Sequence, residues 1–357
     1  MQPIRTAVVG FGLAGSVFHA PAIAANPRYS LDVIVTSDPA RQAQARAHYP
    51  EARIVDRPDQ LLGNTAGAPG GHQGDALARL DLAVLATPPE THAALAHAAL
   101  DARLAVVVDK PFTVTSEEGQ KLADRARELG LVLSCYQNRR WDGEFLTLKK
   151  LLAQGALGQV HRFESRLERW SPDTVKPWKA RATAEAGGGV LYDLGTHLID
   201  QALQLFGAVD AVYGELEARR PQEKADDDAF VALHHRSGVR SHLWMNLSAA
   251  QLGPRYRVLG SKAGYTKQVG DGQEAQIMAG VLPGDPSYGV DPEEHWGRLG
   301  REGTMVPVPT ERGDFPAFYE LLAGAIRDGG PVPVDPADAV QALKIIEAVR
   351  ADRGGIR

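Results

Sequence analysis

One cysteine, Cys135, stands in 357 residues, and that excludes both an intramolecular disulfide and a cysteine-built zinc site. It lies inside an apolar run and reads as a small core hydrophobe rather than a nucleophile. No apolar stretch approaches the length that a membrane span requires. There is no basic excess either. The formal net charge is −5, so the chain carries no field for nucleic acid or an anionic membrane. Internal repeats, low-complexity tails and blocks of like charge are also missing. The stretch from Met1 to Ala7 runs into a β-like segment without the features of a signal peptide, so a soluble, cytoplasmic protein is expected. The length and a hydrophobic content of 44% suit two domains, each with a full core.

What is present begins with glycine. Ala7-Val8-Val9 leads into Gly10-Phe11-Gly12-Leu13-Ala14-Gly15, and a helical stretch follows. In such a strand–turn–helix the first glycine makes the turn and the second lets backbone approach a pyrophosphate. The third lets the helix pack close, with its N-terminus facing the anion. Leu31 to Val35 reads as the second strand and ends in Thr36-Ser37-Asp38, where an adenosine ribose would lie. Hydroxyls there, followed by Arg41, suit the 2′-phosphate of NADP. Asp38 keeps NAD open, because an acidic side chain at this point binds the free 2′-hydroxyl.

A helix is expected from Pro39 to His48, and a surface loop from Gly63 to Asp75. Leu82 to Ala86 is apolar throughout, as a buried parallel strand requires, and Thr87-Pro88-Pro89 stops it. A helix from Glu90 to Leu100 and a strand from Leu104 to Val108 follow, the latter ending in Asp109-Lys110-Pro111. The next helix opens with Thr115 and Glu118 at capping-box spacing and closes at Gly130. Leu131 to Cys135 completes the alternation. Repeated βα units predict a doubly wound parallel sheet, with ligands at the carboxyl ends of its strands. Gly10, Ser37, Thr87 and Lys110 all fall at such ends.

After Tyr136 the pattern changes, which places a dinucleotide-binding domain at 1–136 and an α+β domain at 137–357. A helix from Glu144 to Leu152 precedes a period-two alternation from Arg162 to Glu168. Strand-like runs at Ala211–Ala218, Asp228–His235, Val239–Leu247 and Tyr256–Leu259 suggest an antiparallel-rich sheet. Its regular polar face predicts a homo-oligomer, most simply a dimer. Helices at Phe315–Arg327 and Pro336–Arg350 end the pattern.

Within this half, Gly187-Gly188-Gly189 opens a helical segment in which Asp193 and His197 sit four apart, on one α-helical face. An imidazole beside a carboxylate can exchange a proton near neutral pH. The plainer alternative is a capping aspartate and a packed histidine. Lys110 has its own alternative as a surface lysine. Asp226-Asp227-Asp228 reads as a solvated turn, and His234, His235 and His242 form no metal triad, so no metal is expected.

These motifs resemble the glucose–fructose oxidoreductase/inositol dehydrogenase (Gfo/Idh/MocA) family. Thr87-Pro88 with His92 looks like the segment after its fourth strand, and Asp109-Lys110-Pro111 stands where the family has Glu-Lys-Pro. Asp193 and His197 match its Asp-x-x-x-His helix, and Gly330 to Val334 with Asp338-Ala339 is similar to its ending. The stretches Gly12 to His19 and Gln137 to Asp142 look like the branch holding NADP-dependent scyllo-inositol dehydrogenases. The resemblance implies a Rossmann domain followed by an open, mostly antiparallel sheet. It also implies hydride transfer between a nicotinamide and a secondary alcohol of a cyclic polyol, inositol or sugar. Lys110, Asp193 and His197 would be catalytic. Gly10, Gly12, Leu13, Ala14, Gly15, Ser37, Asp38, Arg41, Thr87, Pro88, His92, Asp109 and Lys110 would hold the cofactor. Asn138, Arg139, Trp141 and Trp178 would meet the substrate. A non-catalytic dinucleotide sensor and an imine or biliverdin-type reductase are the competing readings on the same fold.

Overall fold

Short apolar runs in the first third of the chain become one parallel sheet. The structure, a computed structural model, describes residues 2–62, 80–173, 182–221 and 223–351. The expected loop at Gly63–Asp75 and the candidate Trp178 lie outside the described residues. Strands β1 (Ile4–Val9), β2 (Tyr29–Val35), β3 (Arg53–Val55), β4 (Leu82–Leu85), β5 (Ala105–Asp109) and β6 (Leu133–Tyr136) pair in the order β3-β2-β1-β4-β5-β6. Every pairing is parallel. All four residues of β4 are buried, which accounts for its unbroken apolar sequence. β3 is too short to leave a readable period, and sequence reading misses it. The order reverses between β1 and β4, the point at which such sheets bind ligands.

Contacts divide the chain into two units. The first holds Met1–Thr113, Glu117–Tyr136 and Pro316–Val340, and the second holds Val114–Ser116, Gln137–Phe315 and Gln341–Arg357. A single division after Tyr136 therefore misassigns Pro316–Val340. The helix Ala317–Asp328 belongs to the parallel sheet's unit. The Tyr319 hydroxyl lies 2.7 Å from His19 Nδ1, and the Tyr29 hydroxyl donates to the Tyr319 carbonyl at 2.6 Å. Ser134 Oγ likewise donates to the Val334 carbonyl at 2.9 Å. An amphipathic helix pattern shows that a face is buried and not which sheet buries it.

The second unit contains an eight-stranded sheet. Its strands are β7 (Val160–Glu168), β8 (Val209–Glu217), β9 (Asp228–His235), β10 (Arg240–Asn246), β11 (Tyr256–Gly260), β12 (Gly264–Lys267), β13 (Gly297–Gly300) and β14 (Val306–Val308). The order is β14-β13-β12-β11-β7-β10-β9-β8. Among the described residues, only the β7–β10 pair of this sheet is parallel. One face, with Phe163, Val231, Leu243 and Met245, is buried. It packs toward the helix Thr196–Phe206, where the Phe163 and Phe206 rings are 5.3 Å apart.

Candidate active site

In the first unit the register places the candidate residues side by side. Val9 pairs with Leu85, and Leu85 with Val108. The residues that follow, Gly10, Ala86 and Asp109, therefore line one edge of the sheet, with Thr87 and Lys110 next along. Gly10 has φ +96°, and a Cβ there would collide with the Ala86 carbonyl. Only glycine meets both demands. Gly15 packs on the Gly10 carbonyl, bringing the π-wound turn Ala14–His19 and the helix Ala20–Ala25 close beneath. At Gly12 the space that a Cβ would fill faces only the Arg41 guanidinium, Nη1 at 3.7 Å. Leu13, 45% exposed, caps the turn. This open turn at a helix start fits a dinucleotide pyrophosphate.

The end of β2 bears on which dinucleotide is bound. The strand stops at Val35, Thr36 is buried, and Ser37 is exposed. Asp38 caps the helix Pro39–His48, its Oδ1 accepting from the Ala40 and Arg41 amides at 2.9 and 3.1 Å. Its Oδ2 lies 3.8 Å from Arg41 Nε. The carboxylate is thus held by its own helix, and Arg41 stands between it and Gly12.

Behind the edge, one histidine holds two loops together. His92 is fully buried, with Nδ1 2.9 Å from the Pro111 carbonyl and Nε2 2.9 Å from the Thr87 carbonyl. It was expected against the cofactor, and its ring nitrogens instead bridge the loop after β4 to the loop after β5. The Thr87 hydroxyl meets that of Thr91 at 2.6 Å, and Thr91 donates to the Pro88 carbonyl at 2.7 Å. Asp109 Oδ1 accepts the Lys110 amide at 2.8 Å, so the shortened acid turns back on the backbone that carries the lysine. The Lys110–Pro111 peptide bond is cis. His19 lies against the Tyr136 ring at 4.3 Å. Burial lowers its pKa to about 4, although Asp109 pulls the other way.

The second unit contains the glycine-opened helix. Gly189 has φ +98°, and a Cβ there would strike the Asp226 carboxylate. That carboxylate accepts the Leu191 amide at 2.7 Å, and the Asp226 carbonyl accepts the Val190 amide at 2.8 Å. The expectation of a solvated turn at Asp226-Asp227-Asp228 is corrected. Asp226 and Asp227 are buried, because backbone amides and arginines satisfy them. Asp227 accepts from the Arg219 and Arg220 amides at 2.8 and 2.9 Å and from Arg220 Nε at 2.9 Å. Burial pushes the Asp226 pKa up, and the Leu191 amide opposes it.

Asp193 falls in the π-wound turn Leu191–Gly195, and His197 in the α-helix Thr196–Phe206. His197 is 5% exposed, with Nδ1 3.0 Å from Gln137 Oε1.

The segment Asn138–Trp141 is a 3₁₀ turn, and Asn138 is buried. Arg139, a candidate substrate contact, pairs instead with Asp142 at 3.3 Å and Glu274 at 3.6 Å. The Trp141 carbonyl accepts from the Asp314 amide and from Gln273 Nε2, both at 3.0 Å. Sequence reading gave no individual role to Gln137, Asp200 or Gln201. Asp200 and Gln201 follow His197 by three and four residues, a helical spacing that was there to be read.

Residues 4–137 match the oxidoreductase family with an NAD-binding Rossmann fold, and residues 145–266 match the GFO/IDH/MocA C-terminal domain. The chain is 32% identical over 352 residues to scyllo-inositol 2-dehydrogenase (NADP⁺) IolW of Bacillus subtilis (strain 168), covering 98% of this chain and 93% of that one. It is 37% identical over 354 residues to the oxidoreductase YdgJ of Escherichia coli (strain K12), covering 96% and 94%. Among solved structures, the oxidoreductase yvaA of Bacillus subtilis superposes with a TM-score of 0.87 at 32% identity, covering 98% and 95%. The chain belongs to the Gfo/Idh/MocA oxidoreductase family and is an NAD(P)-dependent dehydrogenase. Among the described residues, no helix is long and apolar enough to cross a membrane.

Proposed function

We propose that this family member oxidises a ring secondary alcohol of a cyclic polyol, inositol first, with NADP⁺, and catalyses the reverse reduction. The bound nicotinamide would supply the hydride acceptor. The observation that carries the reading is the register of Val9, Leu85 and Val108. It puts Lys110 next along the same edge as the glycine turn, which supports a lysine beside the bound dinucleotide. Lys110 can donate a hydrogen bond and positive charge to an alkoxide as it develops. His197 can accept the hydroxyl proton, and Asp193 can orient the substrate hydroxyl. Asn138 and Trp141 remain proposed substrate contacts. The similarity to a scyllo-inositol dehydrogenase supports the substrate class.

NADP is favoured because Asp38 is engaged in capping while Ser37 and Arg41 flank the ribose position. A cytoplasmic setting accords with that cofactor. Comparison of kcat/KM for the two coenzymes tests this reading. NADP⁺ should win, and Arg41→Ala should weaken it selectively by about 10-fold, roughly the loss of one charged hydrogen bond. A clear preference for NAD⁺ would show that Asp38 serves the ribose.

We also propose a homodimer through the sheet face opposite the Thr196–Phe206 helix. Arg166, Trp244, Phe230 and Glu215 form one cross-strand row. The Arg166 guanidinium lies 3.8 Å over the Trp244 ring, and the Phe230 ring is 5.1 Å from that of Trp244. Tyr213, 46% exposed, extends the aromatic surface. Such a broad face suits a second copy of itself.

A further inference from the structure

The strongest relation that the mechanism leaves unused joins Gln137 to His197. Gln137 directly follows Tyr136, the last residue of β6, and is 2% exposed. Its Oε1 stands 3.0 Å from His197 Nδ1. An amide oxygen can only accept, so the hydrogen must sit on Nδ1. The neutral ring then carries its lone pair on Nε2, the form that can receive a proton there.

Gln137 is itself fixed by the same helix. Arg140 Nε and Nη2 donate to the two Asp200 oxygens at 2.8 and 2.5 Å. Gln201 Nε2 donates to the Arg139 carbonyl at 2.8 Å, and the Arg140 amide donates to the Gln137 carbonyl at 3.1 Å. Residues 197, 200 and 201 lie on one face of the helix Thr196–Phe206. Three side chains of that face, making four hydrogen bonds, therefore hold the segment Gln137–Arg140. A bidentate guanidinium–carboxylate pair gives the staple a defined geometry. Gln201 is anchored at its other end, its Oε1 accepting from Tyr256 at 2.7 Å and Arg255 Nη2 at 3.0 Å. The glutamine oxygen is thus placed by a rigid frame.

We propose that Gln137 is a positioning residue that holds His197 in its Nδ1–H tautomer, with Nε2 presented for proton transfer. This rests on His197 acting as the base. Loss of the acceptor removes the bond that selects this tautomer. Glutamate keeps an acceptor at the same reach, whereas methionine keeps the size and removes it. The two substitutions therefore rank oppositely under the two accounts. A buried packing role tolerates methionine and rejects glutamate.

The test measures scyllo-inositol oxidation by NADP⁺ for Gln137→Met, Gln137→Glu and His197→Ala, with NADPH affinity read separately by fluorescence titration. For Gln137→Met, kcat should fall about 10-fold or more while NADPH affinity stays unchanged. Gln137→Glu should recover most of that loss. Near-normal turnover in Gln137→Met, or a methionine variant at least as active as the glutamate variant, would overturn the proposal. A second readout does not depend on turnover or on the folding of any variant. ¹⁵N spectra of histidine-labelled wild-type protein should show His197 protonated at Nδ1 in the neutral form, and an Nε2–H tautomer would overturn the assignment. Normal turnover in His197→Ala would instead sink the base assignment itself, and the spectrum would still decide the tautomer.

Discussion

The Asp226 carboxylate accepts the Leu191 amide at 2.7 Å and so pins the first turn of the segment that holds Asp193 and His197. Arg350 Nη1 stands 3.5 Å from the other Asp226 oxygen. Gly189 is required beside it, because any side chain there would occupy the carboxylate's place. The last glycine of the run is thus a consequence of where Asp226 has to sit, while a Cβ at Gly188 would strike the Ala182 carbonyl.

Asp226→Ala should destabilise the protein by about 1–3 kcal/mol, the range for stranding a buried hydrogen-bonding partner. Urea denaturation measures it. Unchanged stability would mean that the helix entry is held by something else.

Lys110→Met and His197→Ala should each lower kcat by about 10²-fold or more, the contribution of general acid–base and charge-stabilising groups. NADPH affinity should change far less for His197→Ala than kcat does. Steady-state kinetics on the purified variants checks both, and near-normal turnover in either variant removes that residue from the mechanism.

Much of this was legible from the chain. The parallel sheet was readable because buried strands leave unbroken apolar runs, as at Leu82–Leu85, and because glycines mark the turn after β1. The period-two run at Arg162–Glu168 likewise announced β7. The short strands β3, β12, β13 and β14 were not readable, since three or four residues hold no period. The site residues most easily found were those with a fixed local spacing, such as Asp193 and His197. Asp226 and Gln137 act on the helix from 35 and 60 residues away, and one sequence carries no sign of that pairing. Acidity misled as well: three successive aspartates suggest water, whereas two of them are buried on amides and arginines.

His19 gives a dependence on pH with a definite sign. Its folded pKa of about 4 lies below the ordinary 6.5. The unfolded chain therefore binds the proton more tightly, and stability falls as pH drops from above 6.5 toward 4. Between pH 7 and pH 5 this loss is about 2 kcal/mol. Asp271, pushed up to about 6 by burial, slopes the opposite way and is common to wild type and variant. The stability gap between wild type and His19→Gln should therefore narrow by about 2 kcal/mol from pH 7 to pH 5. A constant gap across that range would show that folding leaves the His19 pKa unchanged.

For the proposed dimer, light scattering at micromolar concentration should return twice the chain mass. Trp244→Asp should shift it to the monomer, since a carboxylate would replace the ring on which Arg166 and Phe230 pack. A wild-type monomer would end the dimer proposal, and a dimer unaffected by Trp244→Asp would place the interface elsewhere.

The most direct measurement follows one atom. The protein is incubated with ring-deuterated scyllo-inositol, myo-inositol or glucose and with NADP⁺ or NAD⁺, and the reduced coenzyme is examined by mass spectrometry. Hydride transfer from a ring carbon should yield NADPH heavier by one deuterium with a cyclic polyol, and faster than the NAD⁺ reaction. Reduced coenzyme without deuterium, or no reduction of either coenzyme by any of the three compounds, would contradict the assignment.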